Sequence, residues 1–471
     1  MGQDITSKDK FIEREEFLKL AKVETDHLQQ IFENNQLEKR DDHYGLELEG
    51  CLVDKQMRPA MLNEQFLTLS ERKALVPELG KFNFEFNSPC YERDPDTFSK
   101  MLEDLHDLFD HSYQVANKLD LYPIWVGILP TLREEDLTLD SLTPRNRYFK
   151  LDEKLMELQH GKPIEIKIDR FDELKLSRHN IMTEAAATSL QIHTQVKPEL
   201  ATKAYNASLA LAGPCTAIAA NSPFLFGQKL WDETRITLFE QSVQIPELKN
   251  SSPVSLGNNY LNESVFELFQ ENTKDHIPVL PIKFDDAPEK LRHLKFLNGQ
   301  VWRWIRPIIG VDYGEMSHIR LEQRSLPSGP SAADIVANTA FYIGLLHFYT
   351  NLSNDISQEM PFEVIRNNFY ECSKMGMKAE IYWRGKLVNV QKLLHDELYE
   401  HAVLGLKDLN FSKNDIDYFL DHIMKQRIRT GWTGAAWQKS FMDNNGYDLQ
   451  QMTAAYIENQ RNQEPVIHWK V

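Results

Sequence analysis

Four short segments, far apart in the chain, alternate apolar and polar residues so that their charged side chains fall on one face. They are Tyr44 to Cys51 (YGLELEGC), Phe82 to Asn87 (FNFEFN), Ser189 to Val196 (SLQIHTQV) and His318 to Arg324 (HIRLEQR). Successive side chains of a strand point to opposite faces, so Leu46 and Leu48 oppose Glu47 and Glu49, and Phe82, Phe84 and Phe86 oppose Asn83, Glu85 and Asn87. Leu190 and Ile192 likewise oppose Gln191 and His193, and Ile319 and Leu321 oppose Arg320, Glu322 and Arg324. If these segments belong to one sheet, several carboxylates converge. Carboxylates that close repel one another and raise each other's pKa unless cations neutralise them. A divalent metal is the simplest account, and hard oxygen donors point to Mg²⁺, Mn²⁺ or Ca²⁺ over zinc.

The chain has 471 residues, 42% of them hydrophobic, which is enough for a sizeable core in one large domain or two to three smaller ones. A net charge of −17 argues against nucleic acid or an anionic membrane as the main partner. The segment MGQDITSKDKFIEREEFLK lacks the apolar stretch of a secretory signal, and no uninterrupted apolar run approaches the ~18 residues of a membrane span. The expectation is a soluble, cytoplasmic protein, with homo-oligomerisation left open. Cys51, Cys90, Cys215 and Cys372 are too few and too scattered for a disulfide framework or a zinc site, and read as reduced thiols.

Helical spacing runs from about Phe11 to Gln36, and again over Asp94 to Lys118, where Pro95 opens a repeat of Phe98, Leu102, Leu105 and Leu108. Leu121 to Leu129 reads as a buried strand. Pro198 to Ala220 reads as a long apolar helix, broken or kinked at Gly213 and Pro214. A further helix spans Ser331 to Leu352, and beyond Met360 the pattern is helical almost to the end. The expected organisation is an N-terminal helical segment (1–40), a catalytic α+β domain (41–355) with helices on one face of an antiparallel sheet, and a helical C-terminal subdomain (356–471) packed on it.

No Walker-type phosphate loop, HExxH helix, nucleophile elbow or EF-hand loop is present. What remains is dispersed. Gly45, Glu47 and Glu49 form a Gly-x-Glu-x-Glu strand, and Glu78 precedes Glu85 by seven positions. His193 follows on a strand, then Ala220 to Phe224 (ANSPF) and Leu321 to Arg324 (LEQR). In order and spacing, from about residue 43 to 350, this set resembles the glutamate–cysteine ligases, nearest to their bacterial carboxylate–amine ligase branch. The resemblance implies a glutamine-synthetase-like fold, an antiparallel sheet funnel that binds ATP and Mg²⁺ on its inner face. It also implies ATP-driven joining of glutamate, through an acyl phosphate at its side-chain carboxylate, to an amine such as cysteine. Carried over by position, Glu47, Glu49, Glu85 and Glu322 become metal ligands, with His193 and Glu78 as further candidates. Arg324 becomes the arginine facing the transferred phosphoryl group, and Arg235 in WDETR the catalytic arginine that follows ANSPF. Two positions differ from relatives: Pro327 stands where Asp is frequent, and Leu190-Gln191-Ile192 lacks a glycine common before the histidine.

Phosphoryl transfer rests on positioning, metal bridging of phosphate oxygens and arginines facing developing charge, and a face holding both Glu and Arg suits it. Gln191 and Arg320 join Arg324 as candidate nucleotide contacts. Because an arginine fork binds carboxylate bidentately, Arg303 and Arg306 in WRWIRP are candidate substrate contacts, with Asn87. Plainer readings stand beside these. Glu47 and Glu49 also suit an exposed edge strand, Arg320, Glu322 and Arg324 a cross-strand ion-pair ladder, and Trp302 to Arg306 a packing cluster. At the level of function the alternatives are the same chemistry on another carboxylate or amine, a non-catalytic nucleotide- or metal-binding relative, and a calcium-stabilised structural protein.

Overall fold

The computed structural model describes residues 4–6, 9–245, 252–311 and 317–471, and in it the four alternating segments share one sheet. The main strands are β1 (His43–Val53), β2 (Leu75–Pro77), β3 (Asn83–Asn87), β4 (Ser189–Val196), β5 (Ile305–Val311) and β6 (Ser317–Pro327). They lie in the order β5-β6-β4-β1-β3-β2 with every neighbouring pair antiparallel. Period-two sterics thus deliver the α+β class that the alternation predicts. Leu46, Leu48, Phe84, Phe86, Leu190, Ile192, Ile319 and Leu321 are all buried on the apolar side.

The helices include α1 (Arg14–Glu33), α2 (Thr97–Asn117), α3 (Asn146–Leu158), α4 (Ala201–Ala219), α5 (Thr234–Ser242), α6 (Ala332–Thr350), α7 (Phe362–Met375) and α8 (Leu449–Arg461). Helices α4 and α6 pack on each other and on β6 and β4. Both are buried nearly all round, which explains why neither shows an amphipathic stripe. The break expected at Gly213 and Pro214 does not occur; α4 runs on to Ala219. Gly213 instead admits α7, since a Cβ there would lie 3.2 Å from the carbonyl of Asn368.

Of the stretch Leu121 to Leu129 only Tyr122–Ile124 is strand, paired with β1. The helical C-terminal third is interrupted by a hairpin, Glu380–Trp383 with Lys386–Asn389. One connected apolar core reaches from Leu28 to Trp469 and so crosses both expected boundaries. A buried joint ties the C-terminal part to α6. Ser331 and Asp334 form a capping box, and the Asp334 carboxylate also accepts from Arg427 at 2.6 Å and from the Val466 backbone at 2.9 Å. Among the described residues no helix is long and apolar enough to cross a membrane.

Candidate active site

Strand register assembles the site. Glu47 of β1 faces Asn87 of β3 on one side and Gln191 of β4 on the other, and Glu49 faces Glu85. His193 stands beside Glu322 of β6, and Glu322 beside Arg306 of β5. One polar row therefore crosses the sheet from Glu85 to Arg306.

At the β6 end, ligating atoms of Glu47, His193 and Glu322 lie within 4.8 Å of one another. His193 Nε2 is 3.2 Å from Glu47 and 3.6 Å from Glu322, yet among the described residues this buried nitrogen has no partner in hydrogen-bond geometry. Its Nδ1 accepts from Arg320 Nε at 3.2 Å. An arginine can only donate, so the ring proton in this arrangement sits on Nε2, facing both carboxylates. Glu322 has no solvent exposure and is gripped by Arg306 Nε and Nη2 at 2.6 and 2.9 Å, with Arg324 at 3.1 Å. Burial pushes this carboxyl up, but Arg306 and then Arg324 outweigh burial and hold it well below the usual carboxylate range. Glu47 is shifted the same way: burial raises it, and His193 with Arg324 brings it below its ordinary value.

At the β3 end carboxylates outnumber cations. Glu49 accepts from Ser189 N at 2.7 Å, Ser189 Oγ at 3.0 Å and Gln191 Nε2 at 3.0 Å. Even so, burial and then the charge of Glu78 push it up to about 7. Asn87 donates to Glu85 at 2.8 Å, while burial and the charges of Glu47, Glu78 and Glu49 raise Glu85 well above the carboxylate range. Glu78 is raised chiefly by burial, with Arg147 as the strongest opposing influence. Glu184 is raised by burial, then by Glu78 and Glu49. Gln191 links the two ends, its Nε2 on Glu49 and its Oε1 on Arg324. Arg324 Nε is a buried donor with no hydrogen-bond partner among the described residues. Crowded carboxylates short of positive charge suit a divalent cation, and a buried unpartnered guanidinium N–H suits an anionic oxygen.

Glu47, Glu49, Glu78, Glu85, Asn87, Gln191, His193, Arg320, Glu322 and Arg324 thus gather as the sequence suggests. Arg303 and Arg235 lie off this face, and Arg306, although on it, is already paired with Glu322; the expectations for these three are corrected. Arg303 precedes β5, so its side chain leaves the polar face and is buried against Asn272 at 2.6 Å, His276 at 3.2 Å and Glu271 at 3.2 Å. Arg306 is on the face, but its fork is committed to Glu322 and is not open to a substrate carboxylate. Arg235, at the start of α5, lies behind β6. Its Nε donates to Glu233 at 3.0 Å, and its other nitrogens to the carbonyls of Arg324, at 3.3 Å, and Ser325. There the register of β6 slips between Gln323 and Leu326, a bulge of the kind that re-aims a side chain, so Arg235 braces Arg324 from behind. Sequence reasoning missed Glu184, Ser189, Arg147 and Tyr148. Glu184 and Arg147 come from a short turn, Met182–Ala186, and from a helix start, where no periodicity marks a facing residue.

A family described as glutamate-cysteine ligase family 2 matches residues 43–462 by its sequence profile. Among solved structures the chain is similar to the glutamate–cysteine ligase of Francisella tularensis in complex with AMP, at 10% identity and TM-score 0.53, covering 92% of each chain. It is also similar to a bifunctional glutathione synthetase from Pasteurella multocida, at 12% identity and TM-score 0.51, covering 94% of this chain and 54% of that one. This chain therefore spans about half the length of the Pasteurella protein. At such identities the likeness is one of fold, the antiparallel-sheet architecture of glutamine-synthetase-like ligases. No curated protein matches the sequence.

Proposed function

The chain belongs to glutamate-cysteine ligase family 2, a family of carbon–nitrogen ligases, and on that premise we propose that it joins the γ-carboxylate of glutamate to an amine, with ATP as the driving substrate. Cysteine is the first amine to test. The observation that carries this reading is the row of Glu85, Glu49, Glu47 and Glu322 across one sheet face, with Arg324 beside it. The AMP complex of the Francisella enzyme supports a nucleotide site in the same fold.

The residues fit a magnesium ion. Glu47, Glu49, Glu78, Glu85 and Glu322 offer the oxygen donors that Mg²⁺ prefers, and burial, then repulsion from neighbouring carboxylates, raises Glu49 and Glu85, a cost that a cation there would offset. His193 joins them through Nε2 only when its Arg320 hydrogen bond opens. Bound there, Mg²⁺ would neutralise phosphate oxygens and draw electron density from the γ-phosphoryl group.

In this reading the substrate carboxylate attacks the γ-phosphorus, ADP leaves, and an acyl phosphate results. The amine then attacks the acyl carbon, phosphate departs, and the surplus amine proton is lost. Arg324, aimed by the bulge and tied to Gln191, presents Nε–H to the phosphoryl oxygens as their charge develops. Asn87 keeps Glu85 in its place in the row. Nothing in the row itself selects the amine side chain, so another carboxylate or amine would use the same residues. The test is phosphate release from ATP and Mg²⁺ with glutamate and a panel of amino acids and amines, with products weighed by mass spectrometry. Release that requires both glutamate and an amine is expected, and no release with any pair overturns the reading.

A further inference from the structure

Residues 4–6 and 9–12 are distant in sequence from every strand of the site, yet Asp4 and Ile5 reach the start of helix α3 beside it. Helix α3 starts at Asn146 without a side-chain cap from its own flanking residue, Arg145. Asp4 supplies one from outside. Its Oδ1 accepts from Arg147 N at 2.9 Å and from Ile5 N at 2.9 Å, and Asn146 Nδ2 donates back to Ile5 O at 2.9 Å. A helix start carries backbone N–H groups with no internal acceptor, and a carboxylate there satisfies one and complements the helix dipole.

The start of α3 is in turn sewn to the backbone that delivers Glu78. Tyr148 Oη donates to Pro77 O at 3.1 Å, Thr143 Oγ1 to Glu78 O at 2.5 Å, and Thr143 N to Leu79 O at 2.8 Å. Arg147 donates to Tyr148 Oη at 2.7 Å. The arm that carries Asp4 is anchored in a small apolar cluster outside the main core, where Ile5, Leu280 and Ile282 are buried with Phe11 and Leu151 against them. Lys10 and Phe11 pair with Lys283 and Ile282 as short antiparallel strands, and Ile12 N donates to Pro281 O at 3.0 Å. The arm therefore acts on the site through α3.

We propose that Asp4 is a positioning residue of the site: by capping α3 from the arm it holds Thr143 and Tyr148 against the backbone of Glu78, and so fixes that carboxylate beside Glu49 and Glu85. The proposal rests on the ligase reading only for what Glu78 does there. The test compares Asp4→Ala and Asp4→Asn in the full chain by hydrogen exchange and by Mn²⁺ titration followed by EPR. In Asp4→Ala the first-turn amides of α3 should exchange about fivefold faster, the size of a lost cap, and Mn²⁺ affinity should fall by about tenfold, as when a supporting contact of a metal ligand is removed. Asparagine keeps the acceptor oxygen, so Asp4→Asn should restore both. Unchanged exchange in α3 overturns the capping claim; faster exchange with unchanged Mn²⁺ affinity overturns the link to Glu78. A wild-type protein that binds Mn²⁺ but turns over no substrate pair would end the ligase reading while leaving this positioning claim to be decided by the same two measurements.

Discussion

Arg306→Leu isolates the buried end of the row. It removes hydrogen bonds of 2.6 and 2.9 Å from Glu322, a carboxylate with no solvent exposure. Withdrawing one partner of a buried pair costs about 3–5 kcal/mol, because the remaining charge keeps its desolvation penalty. Arg324 stays 3.1 Å away, so the lower end, about 3 kcal/mol, is expected. The assay is urea unfolding followed by tryptophan fluorescence, with divalent cations first chelated and then supplied. The native carboxyl of Glu322 lies below its ordinary value. Its contribution is therefore present above the unfolded value of about 4.3 and is lost as pH falls through the native one. The deficit of the variant should be full at pH 7 and shrink below about pH 4. Mg²⁺ should restore part of it by supplying positive charge beside Glu322. The double variant Arg306→Leu, Glu322→Leu should regain most of the loss, since apolar residues replace a buried pair with little penalty. A single-variant loss under about 1 kcal/mol, the scale of an exposed pair, or a double variant no better than the single, would refute the reasoning.

Glu47→Gln should cut turnover by about 100-fold or more, beyond the 10–100-fold cost of losing a metal's outer contacts, while moving the melting temperature little because Glu47 is only half-buried; steady-state kinetics with a thermal melt checks both. Glu49, at about 7 in the native state against an ordinary 4.5, holds its proton longer than the unfolded chain does. Its contribution is full below about 4.5 and lost as pH rises through about 7, with Glu85 and Glu184 adding the same sign. Metal-free protein should then melt lower at about pH 7.5 than at about pH 5.5, and Mg²⁺ should remove most of the difference; a flat profile by scanning calorimetry would contradict this. Arg320→Met frees His193 Nδ1 and deletes a nearby charge, so Mn²⁺ measured by EPR should bind about tenfold tighter; weaker binding would show that Arg320 does not restrain the imidazole. Asp334→Ala leaves Arg427 buried without its carboxylate and should lower stability by about 3–5 kcal/mol in denaturant titration.

Alternation in β1, β3, β4 and β6 depends only on local sterics, so the polar face carrying Glu47, Glu49, Glu85, His193, Glu322 and Arg324 was legible residue by residue. Which of them meet is decided by register between distant strands, and no local pattern encodes that. Arg306 therefore reads as an open fork until Glu322 is seen directly opposite. Arg303 reads as its equal because nothing in WRWIRP shows that β5 begins at Ile305. Arg235 carries the right charge after ANSPF, but its burial behind the bulge depends on how α5 docks. The break expected at Pro214 followed backbone propensity, which a helix enclosed on all sides overrides. Glu184 and Arg147 enter from turns, where tertiary geometry alone sets direction.

The joint at Asp334 sits just past the end of β6, and Val466 hangs from it by its backbone. Trp469, a few residues on, is wedged edge-on against Trp437 and Tyr456. Peeling that tail away would take the Val466 N–H from the Asp334 carboxylate at the start of the helix leading out of the strand that bears Arg324, so tail and Arg324 should loosen together. The indole of Trp469 is then a built-in optical gauge: its emission should redden as the strand frays, before the bulk of the core lets go.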